Sequence, residues 1–213
     1  MTLPLRRRAL GIGPLGIGLL TLCAHSVPAA MVRVNVMDQR GAPVGDTVIA
    51  FDPLDVQPAP SRDQATIDQV DKQFVPRVSV IRTGTTVTFP NSDRIRHQVY
   101  SFSKPNVFSL KLYAGSRADP VAFDHPGLVV LGCNIHDRMA AFVAVVDTPY
   151  FATTSAAGTA ALDLPAGRYR LRVWNPHQTA TLMREIKVQT APLILPAAID
   201  LDAESRLVAA WPE

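Results

Sequence analysis

Covalent cross-links are almost ruled out in this 213-residue chain, because it has two cysteines and one of them, Cys23, lies in an N-terminal stretch with the marks of an export signal. A disulfide framework is excluded. No sustained helical period is present, and 12 glycines and 18 prolines scattered without period exclude a collagen-like chain and argue against long helices. The apolar stretch at residues 9–22 has 14 residues, four of them glycine, against the roughly 20 that a membrane-spanning helix needs. An excess of charge is missing too. The formal +3 is supplied by Arg6, Arg7 and Arg8, and setting them aside leaves 18 basic and 18 acidic side chains, which gives no electrostatic case for nucleic acid. There is no Cys-x-x-Cys-His motif, so any haem belongs to a partner. What remains, 47% hydrophobic and 18% charged, is the composition of an ordinary globular protein rich in turns, which suits an all-β chain.

The first 30 residues contain no acid. Three arginines, then the apolar stretch, then small residues at Ala24, Ser26, Ala29 and Ala30 have the order of an export signal, with cleavage after Ser26 or Ala29. The expectation is a signal over residues 1–29, a periplasmic mature protein and no membrane attachment once the signal is removed. The adjacent arginines fit a twin-arginine route, and bulky Leu22 opposes lipid attachment at Cys23. A mature chain with one thiol, Cys133, cannot close an internal disulfide. In an oxidising compartment that thiol is either buried and inert or held as a thiolate.

Strand signals fall into three blocks. Residues 32–36 alternate, Gln39, Arg40 and Gly41 make a turn, and residues 47–51 return as a second strand, which predicts a β-hairpin. Residues 52–64 carry prolines in a polar run and predict a linker. A central block follows with strands at 78–81, 85–89, 97–102, 107–112, 128–131 and 142–146, at the spacing of a sandwich. A third block has strands at 158–162, 168–174 and 183–188, with Pro165, Ala166 and Gly167 turning between the first two. The hairpin is expected to pack on the third block and not on the central one, since neither is long enough to bury its apolar side alone.

The chemistry sits in the central block. "GCNIHDRM" spaces Cys133, His136 and Met139 as Cys-x-x-His-x-x-Met, and His97 lies upstream in "FPNSDRIRHQVYSF". Thiolate, imidazole and thioether are soft and borderline ligands that suit copper, and two His with one Cys and a distant Met make the trigonal blue-copper set. Each residue has a plainer reading: Cys133 a buried small hydrophobe, His97 and His136 satisfied or solvated histidines, Met139 a core plug. Zinc would accept the Cys and both His but not the thioether. A Cys133 nucleophile with His136 as base lacks an evident third group to orient the base. His125 and His177 lie in turns and are expected to be solvated.

With the upstream segment "FVPRVSVIRTGTTVTFPNSDRIRHQV" and "DHPGLVVLGCNIHDRMAAFVAVV", about 80 residues resemble the cupredoxins, the small blue-copper proteins. Phe74, Pro76, Val78, Val80, Gly84, Val87, Phe89, Asn91 and Gly127 carry the likeness, and the two residues between His136 and Met139 are most like amicyanin. The resemblance implies a Greek-key β-sandwich, one copper per chain, His97, Cys133 and His136 as equatorial ligands and Met139 as the weak axial one. It also implies single-electron transfer rather than catalysis, with a c-type cytochrome or a periplasmic dehydrogenase as redox partner. The chain departs from the family at Gln98, where Asn commonly ties the ligand loops, and at Asp137 and Arg138, where an apolar patch is usual. The alternative function is a non-redox copper carrier, or an accessory binding subunit whose metal is structural.

"VRVNVMDQRGAPVGDTVIAF" and "SAAGTAALDLPAGRYRLRVWNP" resemble the two halves of the carboxypeptidase regulatory-like module, a small transthyretin-like sandwich. Chains that join these two kinds of block look like those labelled methylamine utilisation proteins. The expected organisation is therefore a signal at 1–29, the first half-module and linker at 30–66, a copper domain at 67–148, the second half-module at 149–202 and a tail at 203–213.

Overall fold

The computed structural model describes residues 29–59, 62–115 and 118–202. Residues 1–28 of the expected 1–29 signal, and the tail from residue 203, lie outside the described residues. The described residues form no helix, and their strands run in the order β1 (Ala29–Met37), β2 (Val48–Pro53), β3 (Gln64–Thr66), β4 (Asp68–Val70), β5 (Gln73–Val75), β6 (Val78–Arg82), β7 (Thr85–Thr88), β8 (Tyr100–Ser101), β9 (Phe108–Ser109), β10 (Val121–Phe123), β11 (Gly127–Gly132), β12 (Ala140–Val146), β13 (Phe151–Thr153), β14 (Thr159–Pro165), β15 (Gly167–Trp174), β16 (Leu182–Val188) and β17 (Leu193–Ala198). The protein is all-β.

Two sandwiches are nested in the chain. The outer one stacks the sheet β14-β1-β17 on the sheet β13-β2-β15-β16, and so draws its strands from both sides of the central block. In β1 the strict alternation of the sequence puts Ala30, Val32, Val34 and Val36 inside while Met31, Arg33 and Met37 face out. They meet Ile49, Phe51, Leu164, Tyr169, Leu171 and Val173 in one core. Burial pushes the Tyr169 hydroxyl up to about 12, and the hydroxyl donates to the Pro165 carbonyl at 2.8 Å.

The expected hairpin is not one. The turn after β1 exists, with Gly41 at φ 79° and its N–H on the Asp38 carbonyl, but it closes only the single bridge between Met37 and Pro43. The chain then crosses to the opposite sheet. β1 pairs with β14 and β17, whereas β2 pairs with β13 and β15. β14 and β15 likewise lie in opposite sheets, so the 165–167 turn is a crossover too. The sequence carries the reason, since β1 alternates whereas residues 48–51 of β2 are buried without a break.

The inner sandwich places the sheet β10-β7-β3 against the sheet β6-β12-β11-β8-β9. Phe74, Val87, Phe89, Phe123, Val129, Leu131, Ala141, Val143 and Val145 fill the space between them. Strands expected at 97–102 and 107–112 shrink to β8 and β9 of two residues each. The cause is a change of register: Tyr100 faces Ser109, but His97 faces Tyr113, so the second segment carries one extra residue. Such a bulge breaks the ladder and re-aims the side chains beside it.

The sandwiches share a third core. One face of β12 lines the inner core, and its other face gives Phe142, Ala144 and Val146, which pack with Val78 of β6, with Val48 and Ala50 of β2 and with Trp174 of β15. The Phe142 and Trp174 rings are 6.0 Å apart, and Trp174 is fully buried. The first block therefore packs on the central block as well as on the third, against expectation, because β2 has two apolar faces to cover. Replacing a buried Trp by Ala typically removes about 3–5 kcal/mol. Trp174→Ala is expected to lower the unfolding free energy by that amount in urea titrations followed by circular dichroism; a loss under about 1 kcal/mol would mean that the seam is not packed.

Candidate metal centre

β11 and β12 are antiparallel neighbours whose register closes at Gly132 and Ala140, and the seven residues between them carry Cys133, His136 and Met139. The connection tightens on itself where the Met139 N–H donates to the His136 carbonyl at 2.9 Å. Gly132 cannot be another residue without a shift, since a Cβ there would stand 2.6 Å from the Tyr100 ring. Across the sandwich end, His97 exchanges backbone hydrogen bonds with Tyr113 at 2.9 and 3.0 Å. The Asn91 amide holds the intervening loop by donating to the carbonyls of Ile95 and Tyr113 at 2.9 and 3.0 Å.

These elements bring three of the four expected ligands into one cluster. One ligand atom from each of His97, Cys133 and His136 lies within 4.8 Å of the others. His97 Nδ1 is 3.8 Å from Cys133 Sγ, and the two imidazole centroids are 5.1 Å apart. A single ion with bonds of ~2.0–2.3 Å would span such separations with little movement. His97 is fully buried and Cys133 is 4% exposed. The Cys133 thiol is free. His136 is half-buried and its Nδ1 is enclosed without a hydrogen-bond partner. A buried ring nitrogen without a partner, on a residue of a thiol and imidazole cluster, is a feature that a soft or borderline metal ion would satisfy.

Met139 is 2% exposed in the same core as Cys133, and the two share the lining of a cleft of about 450 Å³ with Tyr100, Phe102 and Asp137. His125 and His177 are exposed and outside the cluster, as their turn contexts imply. Gln98 donates to Ser109 Oγ at 3.0 Å, within its own half of the site. Asp137 and Arg138 are exposed beside His136, and so is Ile135, at 51%.

Two residues of the centre were missed by sequence reasoning. Asp93 Oδ2 lies 2.7 Å from His97 Nε2. Desolvation pulls the Asp93 carboxyl upward, but bonds from the Lys72 N–H, the His97 ring and the Asp71 N–H outweigh it and hold the group below its ordinary value. Tyr113 donates to the Phe89 carbonyl and accepts from Gln69 Nε2, both at 2.5 Å, and burial pushes its hydroxyl up to about 12. An aspartate four residues before a histidine is a visible signal for the first. Nothing in the local sequence marks the second.

No protein-family model matches the chain, and no curated protein matches it. Solved structures similar to part of it include copper proteins. One is a Cu-containing nitrite reductase from Thermus scotoductus SA-01, 27% identical over 45% of this chain with a TM-score of 0.39; the chain spans 25% of that protein's length. A purple cupredoxin from Nitrosopumilus maritimus is 22% identical over 39% of this chain and 98% of its own, with a TM-score of 0.34. A reduced Cu(I) amicyanin variant is 18% identical over 46% and 97%, with a TM-score of 0.35. The described residues form an all-β protein of two nested sandwiches, with a His-Cys-His cluster at one end of the inner one in which His97 and Cys133 are buried and His136 half-buried.

Burying a polar atom without a partner costs about 1–3 kcal/mol. His136→Leu is therefore expected to stabilise the metal-free protein, by about 1 kcal/mol in thermal unfolding, while weakening metal uptake. A destabilised metal-free variant would show that His136 has a structural partner.

Proposed function

We propose that this chain is an exported, mononuclear type 1 copper protein that passes single electrons, with His97, Cys133 and His136 as the equatorial ligands and Met139 as the weak axial one. The observation that carries the reading is the gathering of His97, Cys133 and His136 at one point, in a residue set where the buried Nδ1 of His136 has no hydrogen-bond partner. Copper, when bound, supplies the one-electron Cu(I)/Cu(II) couple. The protein supplies stiffness. Cys133 and Met139 are anchored in the inner core and His97 is held from the opposite loop, so ligand positions change little between oxidation states and reorganisation stays small. No substrate-processing group is assigned; the chain is a carrier and not an enzyme in this reading.

The half-buried His136 is the edge of the centre nearest to solvent, and it is the entry point for electrons from a redox partner such as a c-type cytochrome or a periplasmic dehydrogenase. Ile135 gives the rim an apolar element and Asp137 and Arg138 give it charge. Export rests on the signal-like residues 1–29.

Titration of the metal-free protein with Cu(II) is expected to give an intense visible band that saturates at one copper per chain. Cys133→Ser loses the band, and His125→Ala and His177→Ala keep it, because only Cys133 supplies thiolate to the centre. A colourless complex would favour a copper carrier or a structural metal instead.

Exposed charge at a rim acts on encounter more than on contact energy. Arg138→Glu should leave the colour intact and change the bimolecular rate with charged redox reagents in stopped-flow mixing, with the difference shrinking as salt shortens the Debye length to about 3 Å at 1 M. Equal rates at low salt would place electron entry elsewhere.

A further inference from the structure

The two nitrogens of His97 face different worlds: Nδ1 is 3.8 Å from Cys133 Sγ, and Nε2 is 2.7 Å from Asp93 Oδ2. We propose that Asp93 is a positioning residue that sets the His97 tautomer before any metal arrives, and that the β4–β5 turn, remote in sequence from every ligand, holds Asp93 in place. The proposal rests on the copper reading for its redox consequence, but its structural half stands without it.

The argument is one of counting donors. Three N–H groups converge on two carboxylate oxygens. The Asp71 N–H reaches Oδ1 at 2.7 Å, the Lys72 N–H reaches Oδ2 at 2.9 Å, and His97 Nε2 reaches Oδ2 as well. A carboxylate so placed only accepts, so Nε2 must carry the hydrogen. In the neutral ring, the form that can ligate a metal, there is one N–H, so with Nε2–H held by Asp93 the lone pair belongs to Nδ1, the nitrogen 3.8 Å from Cys133 Sγ. The tautomer that ligates is thus the tautomer that Asp93 demands.

The turn that presents those amides is itself unusual. Asp71 and Lys72, the two residues between β4 and β5, have φ of 52° and 61°, the left-handed conformation of a type I′ hairpin turn that normally takes Asn-Gly. Two successive residues of this kind aim their N–H groups into one concavity, which suits an anion. The tie is reciprocal. Asp68 at the start of β4 accepts from Ser92 Oγ at 2.7 Å and from the Ser92 N–H at 3.2 Å, so each segment grips the other through a carboxylate.

Asparagine at position 93 cannot reproduce this. An amide has one acceptor oxygen, and in either orientation its NH₂ faces an N–H group or demands a bare Nε2, which moves the hydrogen to Nδ1 where it blocks coordination. Removing the negative partner also makes the imidazole a poorer donor and favours Cu(I).

Long-range ¹⁵N–¹H NMR on the metal-free full-length protein tests the first half. The His97 ring should show Nε2–H in the wild type, and Asp93→Asn should shift it toward Nδ1–H. Asp68→Asn loosens the same loop without touching His97 and should leave the tautomer unchanged. Copper affinity, read by chelator competition, should fall about 10- to 100-fold in Asp93→Asn, and the reduction potential should rise. A wild-type ring with Nδ1–H, or an Asp93→Asn variant with unchanged tautomer and affinity, would overturn the proposal. So would an equal tautomer shift in Asp68→Asn, which would reduce Asp93 to a loop tie. An Nε2–H ring in a protein that takes up no copper would instead overturn the copper reading and leave the Asp93 assignment standing.

Discussion

The two-sided burial of β12 is the constraint on which the other features depend. Its odd residues, Ala141, Val143 and Val145, belong to the inner core, and its even residues, Phe142, Ala144 and Val146, belong to the seam with the outer sandwich. A strand packed on both faces can neither slip by one residue nor tilt, because a slip would exchange the two sets of side chains. The ligand-bearing connection ends where β12 begins, so that immobility is passed directly to His136 and Met139. The outer sandwich, whatever else it does, supplies half of the wall that holds the strand.

Preorganisation at the centre has a second source in polar satisfaction. The loop that carries His97 is bonded at nearly every step: Asn91 to Ile95 and Tyr113, Asp93 to the β4–β5 amides, Asp68 to Ser92, and His97 to Tyr113 through the backbone. Against that background the unpartnered Nδ1 of His136 stands out. Buried polar groups are normally paired, and those that are not tend to mark a strain reservoir or a site for an ion. The two halves of the centre therefore differ, His97 being fixed by its neighbours and His136 keeping a buried ring nitrogen without a partner.

Local patterns in the sequence were enough for the strands that are regular and for the cluster itself. The alternation of residues 32–36, the strand expected at 142–146 and the spacing of Cys133 and His136 each have a direct structural counterpart. Pairing was less legible. Residues 32–36 and 47–51 look like a hairpin because a turn lies between them, but the continuous burial of 48–51 was the sign that β2 needed two partners, and it outweighs the turn. The bulge that sets His97 opposite Tyr113 depends on a count of residues across two strands, which periodicity does not contain. Pro196 hides β17 in the sequence, yet the strand forms because it pairs in parallel on the edge of its sheet, where a missing N–H is tolerated. Asp93 was in reach of sequence reasoning, but the amides of Asp71 and Lys72 that fix it come from a hairpin about twenty residues upstream.

The central claim is a thiolate and two imidazoles holding one copper ion in a site too stiff to rearrange. X-ray absorption spectroscopy on the copper-loaded protein, recorded in both oxidation states, tests it most directly. The account predicts one short sulfur and two nitrogen ligands in Cu(II), with the same set retained and the distances little changed in Cu(I). A first shell of nitrogen and oxygen alone, or the departure of a histidine on reduction, would contradict it.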